Sequence, residues 1–177
     1  RGAVTSPVVQ GVLQKLDRAR FVLNPESAYE DIPQSIGHKV TISAPHMHAF
    51  ALECLKSRLQ PGARVLDVGV GSGFLAAAFA LLVSPNGRCF GIDRVEELIQ
   101  FASRNLEASL PEEVRDVITL SVQDGFDGLP DAAPFHAIHV GAAATEVPPA
   151  LLAQLAPGGL MLIPVGANPT QQQLLQV

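Results

Sequence analysis

An apolar run, Ala63 to Val68, leads into Asp67-Val68-Gly69-Val70-Gly71-Ser72-Gly73, and a helix-like run, Ser72 to Val83, leads out. Strand, glycine loop, helix is the opening unit of α/β folds that bind nucleotides. Glycines let the backbone approach a ligand where a Cβ would intrude. The helix start adds free N–H groups and a partial positive charge.

The spacing departs from G-x-G-x-x-G. The third glycine comes one position early, and Phe74 stands at the fingerprint site. An acid, Asp67, precedes the first glycine by two residues. D-x-G-x-G-x-G resembles the first motif of class I S-adenosyl-L-methionine (SAM) methyltransferases. SAM has no pyrophosphate but carries an ammonium and a sulfonium, so an acid beside the loop suits it. A bare glycine turn would not ask for an acid and three alternating glycines.

The rest of the chain alternates. Strands are predicted at 63–68, 88–93, 117–122, 135–140 and 160–165. Helices are predicted at 72–83, 95–108 and 148–155, the last ended by Pro157-Gly158-Gly159. This pattern predicts a doubly wound, mostly parallel sheet with helices on both faces, in a Rossmann-like α/β fold. The 177 residues suit one domain. Residues 1–30 read as a helical arm that packs on the core and carries no chemistry. Residues 31–45 read as a long irregular link, and such a loop in a compact domain is more often functional than accidental. His46 to Leu59 reads as an amphipathic helix with Met47, Phe50, Ala51, Cys54, Leu55 and Leu59 on its inner side. The chain starts at Arg1 and stops inside a strand-like run, so a longer protein is expected.

Ligands of such sheets sit beyond the carboxyl ends of the strands. Three acids stand there: Asp67, then Asp93 about twenty residues past the glycine loop, where an acid can accept from ribose hydroxyls, then Asp124 before Gly125. The last pair can offer a carboxylate and a backbone N–H to an adenine edge. An aspartate at a strand end often only caps the next helix. Three of them beside the glycine loop are hard to explain as caps.

The net charge of −5 and the lack of a Lys/Arg cluster argue against a nucleic-acid partner. No stretch is apolar for long enough to span a bilayer. Two cysteines, Cys54 and Cys89, make no disulfide framework. They are expected as buried free thiols of a cytoplasmic protein. His46 and His48 lie two apart and share no helix face, so no metal site is expected.

Pro33-Gln34-Ser35-Ile36-Gly37, followed by Thr41-Ile42-Ser43-Ala44-Pro45-His46-Met47-His48-Ala49, closely resembles the signature of protein-L-isoaspartate (D-aspartate) O-methyltransferases. The run Ala137-Ile138-His139-Val140-Gly141-Ala142-Ala143-Ala144 resembles a second signature of that family. The resemblance covers about residue 18 to about residue 166. It implies transfer of the SAM methyl group to the free α-carboxylate of L-isoaspartyl and D-aspartyl residues in damaged proteins and peptides. S-adenosyl-L-homocysteine (SAH) is the other product. It also implies a division of the site: Val40, Thr41, Ile42, Ser43 and His48 around cofactor and acceptor, Asp67, Gly69 and Gly71 at the methionine part, Asp93 at the ribose, Asp124 and Gly125 at the adenine. Ser43 is implied as the catalytic hydroxyl, with an N-cap for the following helix as its alternative role. A carboxylate acceptor is already ionised near neutral pH, which fits the absence of an evident strong base. A monomer acting on isoaspartyl proteins and peptides is expected. Two other readings stay open: a SAM-binding adaptor without activity, and a methyltransferase for another carboxylate. Asn86-Gly87 is a deamidation-prone pair, so the chain is itself an expected substrate.

Overall fold

The structure is a computed structural model and describes residues 4–168 and 171–177. The arm is helical, as its spacing predicts: α1 (Pro7–Lys15), then 3-10 turns at Arg18–Phe21 and Pro25–Ser27. Asp17 caps the first turn by accepting from the Ala19 N–H. The link is more regular than expected. β1 (Gln34–Ser35) pairs antiparallel with β2 (Thr41–Ile42) around a turn at Gly37, His38 and Lys39.

Helix α2 (Pro45–Leu55) differs from its predicted form in length and in facing. It buries His48, Ala49, Ala51, Leu52 and Leu55, whereas Met47 and Phe50 are 39% and 46% exposed. Cys54 is half-buried rather than buried. The inner stripe is turned by one residue, about 100°. The reason is His48, a polar residue that can face inward because its partners lie elsewhere in the fold. Glu53 ties this helix to the arm by accepting from the Thr5 and Ser6 N–H groups, each at 2.8 Å.

The alternating part follows: β3 (Arg64–Val68), α3 (Phe74–Val83), β4 (Arg88–Asp93), α4 (Glu96–Ser109), α5 (Glu112–Arg115), β5 (Ile118–Val122), β6 (Phe135–Val140), α6 (Pro149–Ala153), β7 (Leu155–Val165) and β8 (Gln173–Gln176). The sheet runs β5-β4-β3-β6-β7-β8. Its first five strands are parallel, and β8 is antiparallel to β7. Side chains alternate between two cores, as a sheet buried on both faces requires. Val65, Cys89, Ala137 and Leu162 face the larger core, with α1 to α4. Leu66, Ile92, Ile138 and Met161 face the smaller one, covered by α6 and a 3-10 turn at Pro130–Ala132. Helix α3 is buried on nearly all sides, including Phe74, Phe79 and the alanine and leucine positions Leu75, Ala76, Ala77, Ala78, Ala80 and Leu82. A helix apolar all round belongs in a core, and this one anchors the glycine loop that precedes it.

Two further differences have local causes. Pro157-Gly158-Gly159 does not follow a helix directly but lies inside β7. Between the pairs Phe135–Leu155 and Ala137–Leu160 the β7 side carries three extra residues, extruded as a bulge. Helix α6 therefore ends at Ala153, before the predicted stop. Among the described residues no helix is long and apolar enough to cross a membrane.

The Asn86-Gly87 pair is constrained by the fold. The Gly87 N–H donates to the Val83 carbonyl at 2.9 Å, and Gly87 is buried against the Val83 and Ala63 carbonyls. Attack on the Asn86 side chain needs that nitrogen free. Deamidation at Asn86 is expected to be slower in the native protein than in urea-unfolded protein or a matching peptide. Peptide mapping after parallel incubation checks this, and equal rates would refute the protection.

Candidate active site

The chain leaves β3 for β4 on one side and returns to β6 on the other. At the carboxyl ends of these strands, the expected crevice of such a sheet, lies a cleft of about 530 Å³. Val40, Thr41, Ile42, Ser43, His48, Asp67, Gly69, Gly71, Asp93, Asp124 and Gly125 all line it. Residues separated by more than eighty positions thus meet in one space.

The glycine loop forms its floor. Gly71 has a φ of +53°, and a Cβ there would stand 3.2 Å from Ile36 Cδ1. A side chain would be strained and would also crowd the ribbon over the cleft. The loop is held by β4: the Gly69 and Val70 N–H groups donate to the Ile92 carbonyl at 2.8 and 3.0 Å. Asp93 continues that clamp. Its Oδ2 accepts from the Gly71 N–H and its Oδ1 from the Val95 N–H, both at 3.2 Å. So Asp93 holds the turn that leads into α4, whose N-cap is Val95, and grips the glycine loop at once, and its remaining lone pairs can still accept from a ligand.

Asp67 is 2% exposed, and its Oδ1 accepts from His139 Nδ1 at 2.7 Å. His139 comes from β6, alternating with the inward Ile138 and Val140. Asp124 is exposed, with Oδ1 accepting from the Phe126 N–H at 2.9 Å. Gly125 permits a close approach, because a Cβ there would meet Val68 Cγ1 at 2.7 Å. Beside it Phe126 is 58% exposed and lines the cleft, an aromatic face at the end of β5. Past β6, Ala142 and Ala143 leave room on the opposite wall.

The ribbon and the start of α2 form the roof. The N-cap of α2 is Ala44, not Ser43, and Asp31 does the capping from a distance by accepting from the His46 N–H at 3.0 Å. The alternative role of Ser43 as a cap is therefore excluded. Among the described residues no hydrogen bond engages the Ser43 hydroxyl. His48 is 6% exposed and stacks on Phe74 at 4.8 Å between ring centroids. Burial, then the charges of Arg18 and His139, hold its pKa well below the ordinary histidine value, so the ring is neutral at physiological pH.

Three contributors escape a reading by sequence alone. Arg18 belongs to the arm, where no chemistry is expected, yet it is 3% exposed and bonded to His48 and the Ser43 carbonyl. His139 stands in a quoted signature, and a histidine in an apolar strand at its reactive end was the available signal. Phe126 carried none.

The donor set fits SAM. The glycine cradle excludes side chains, and three carboxylates at successive strand ends can receive an ammonium, a ribose diol and an adenine amine. The profile of the family described as protein-L-isoaspartate(D-aspartate) O-methyltransferase (PCMT) matches residues 1–177. A wheat (Triticum aestivum) protein-L-isoaspartate O-methyltransferase is 51% identical over 99% of this chain and 76% of its own length. Protein-L-isoaspartate O-methyltransferase 1 of Arabidopsis thaliana is 49% identical over 93% of this chain and 73% of its own length. A crystal structure of the corresponding Plasmodium falciparum methyltransferase, in complex with S-adenosyl-L-homocysteine, superposes with a TM-score of 0.90 at 34% identity, covering 99% of this chain and 84% of that one.

Fold and cleft together define a class I SAM-dependent methyltransferase. The chain belongs to the protein-L-isoaspartate (D-aspartate) O-methyltransferase family.

Proposed function

We propose that this cleft carries out methyl transfer from SAM to the α-carboxylate of an L-isoaspartyl or D-aspartyl residue in a damaged protein or peptide, with Ser43 as the catalytic hydroxyl. The observation that carries the reading is the Ser43 hydroxyl, which serves no helix cap and lines the same space as the glycine loop and the three strand-end acids. When bound, SAM supplies an electrophilic methyl group on a sulfonium.

The chain's own residues have positioning duties. Gly69 and Gly71 give backbone access to the methionine part, and Asp67, oriented by His139, faces its ammonium. Asp93 accepts from the ribose hydroxyls. Asp124 and the Gly125 N–H meet the adenine edge, and Phe126 offers its ring beside them. Val40, Thr41 and Ile42 close the cleft from the ribbon side. Ser43 donates to one acceptor oxygen and so directs the other at the methyl carbon. The acceptor is ionised at neutral pH, so alignment is the main requirement and proton abstraction is not. Without the enzyme, the amide nitrogen of the isoaspartyl linkage then attacks the ester carbonyl, methanol leaves, and the succinimide so formed is reopened by water partly to normal aspartate.

The reading treats residues 1–177 as one catalytic domain, with 1–30 as its arm and 31–45 as the loop over cofactor and substrate. It extends to a monomer of the cytoplasm that needs neither nucleic acid nor membrane. The free thiols of Cys54 and Cys89 suit a reducing compartment.

The test is methyl transfer from labelled SAM to a matched peptide pair, one isoaspartyl and one aspartyl. Transfer to the isoaspartyl peptide alone is expected; transfer to neither, with SAM still bound, would remove the assignment. Ser43→Ala is expected to lower turnover by about 10–100-fold, the loss of a hydrogen bond to a charged group, while SAH affinity changes little. The opposite split would make Ser43 a cofactor ligand.

A further inference from the structure

We propose that Arg18, on the N-terminal arm and behind the cleft wall, is a positioning residue that fixes the Ser43 backbone and locks His48 with its proton on Nε2, so that the imidazole presents a neutral N–H to a carboxylate in the cleft. The proposal rests on the reading of this cleft as the methyl-transfer site.

All three guanidinium nitrogens are used. Arg18 Nε donates to the Ala28 carbonyl at 2.8 Å, Nη2 to the Ser43 carbonyl at 2.6 Å, and Nη1 stands 3.0 Å from His48 Nδ1. Guanidinium has only donors. His48 Nδ1 must therefore offer its lone pair, and the single proton of a neutral imidazole sits on Nε2.

Orientation is fixed as well. The His48 ring lies on Phe74 with 15° between planes, and the Arg18 guanidinium carbon is 5.5 Å from the same ring's centroid. The groups acting on His48 from packed elements are Arg18 from the arm and His139 from β6, and both oppose an imidazolium, as does burial. Among the described residues no hydrogen bond takes up His48 Nε2, and His48 lines the cleft. That N–H opens to the cleft and is not sealed in the core, so a ligand there can accept from it. Two carboxylates enter this cleft: that of the methionine part of SAM and that of the isoaspartyl acceptor. Either presents the chemistry that Nε2–H would meet.

Nitrogen-15 NMR of labelled histidine in the full protein reads the tautomer directly. His48 is expected to be protonated on Nε2, bare on Nδ1, and unchanged from about pH 6 to pH 8, the range over which an ordinary histidine titrates. A proton on Nδ1, or titration to the cation in that range, would overturn the proposal. Arg18→Lys keeps a charge but cannot serve three acceptors. It is expected to release the tautomer lock and to cost about 10–100-fold in turnover, a tautomer change that mere loss of packing would not produce. His48→Phe keeps the stack on Phe74 and removes the donor. If Nε2–H serves the methionine carboxylate, SAH affinity falls about tenfold or more in this variant. If it serves the acceptor, SAH affinity holds and kcat/KM for the isoaspartyl peptide falls instead. Unchanged values for both would overturn the donor role. A wild-type protein with the Nε2–H tautomer but no transfer to the isoaspartyl peptide would instead refute the methyl-transfer reading and leave the lock standing.

Discussion

Asp93→Ala is expected to weaken SAH binding by about 1–3 kcal/mol, or roughly 5–150-fold, and to destabilise the apo protein as well. The two effects have separate origins. Ribose hydroxyls would lose a charged acceptor, which accounts for the affinity. The apo protein would lose the acceptors of the Gly71 and Val95 N–H groups. The Gly71 amide is buried, and leaving such a donor unpaired costs about 1–3 kcal/mol. Asp93→Asn separates them. Its amide oxygen can still accept from Gly71, so stability should recover more than affinity, because the amide has fewer lone pairs and no charge to offer the ribose. Isothermal titration with SAH and thermal unfolding of the apo protein give the two readouts. Unchanged SAH affinity in Asp93→Ala would refute the ribose assignment while leaving the clamp on the glycine loop to be judged from stability.

Phe74→Ala is expected to destabilise the protein by about 3–5 kcal/mol, the usual cost of removing a buried aromatic ring. For a chain of this length that corresponds to a fall in Tm of roughly 6–20 °C. Phe74 is 5% exposed and opens α3 directly after the glycine loop. It meets Phe21 of the arm edge-on at 5.3 Å and supports His48 and Arg18 on its faces. The cavity would thus form where arm, glycine loop and α2 converge, and little rigid structure could collapse into it. Phe74→Leu keeps most of the volume and should restore much of the Tm. It should not restore the flat support for His48, so turnover is expected to stay below wild type when stability has largely returned. Full recovery of turnover in Phe74→Leu would show that the ring serves packing alone.

Much of the fold is legible because its signals are local. Short, mostly apolar runs mark β4 and β6 to the residue, since a strand that feeds two cores is apolar on both faces. The glycine loop and the acids at 67, 93 and 124 lie where strands end, and their spacing along the chain carries that information unaided. Where spacing misled, a distant contact had intervened. Met47 and Phe50 have the spacing of an inner stripe, but Arg18 and Phe74 let His48 take the inner position, and the helix turned accordingly. Pro157-Gly158-Gly159 has the composition of a helix stop, but pairing with β6 continues on both sides of it and leaves it as a bulge.

The chain's sequence by itself determined the order of strands and helices, the backbone cradle and the positions of the acids, because hydrophobic period, glycine placement and strand-end chemistry are properties of neighbouring residues. Tertiary structure alone decided which side chains are oriented for use. Arg18 reaches His48 across 30 positions, and His139 reaches Asp67 across 72. Hydrogen-bond direction, tautomer and burial depend on partners brought together only when the sheet closes around its core, and no local pattern encodes them.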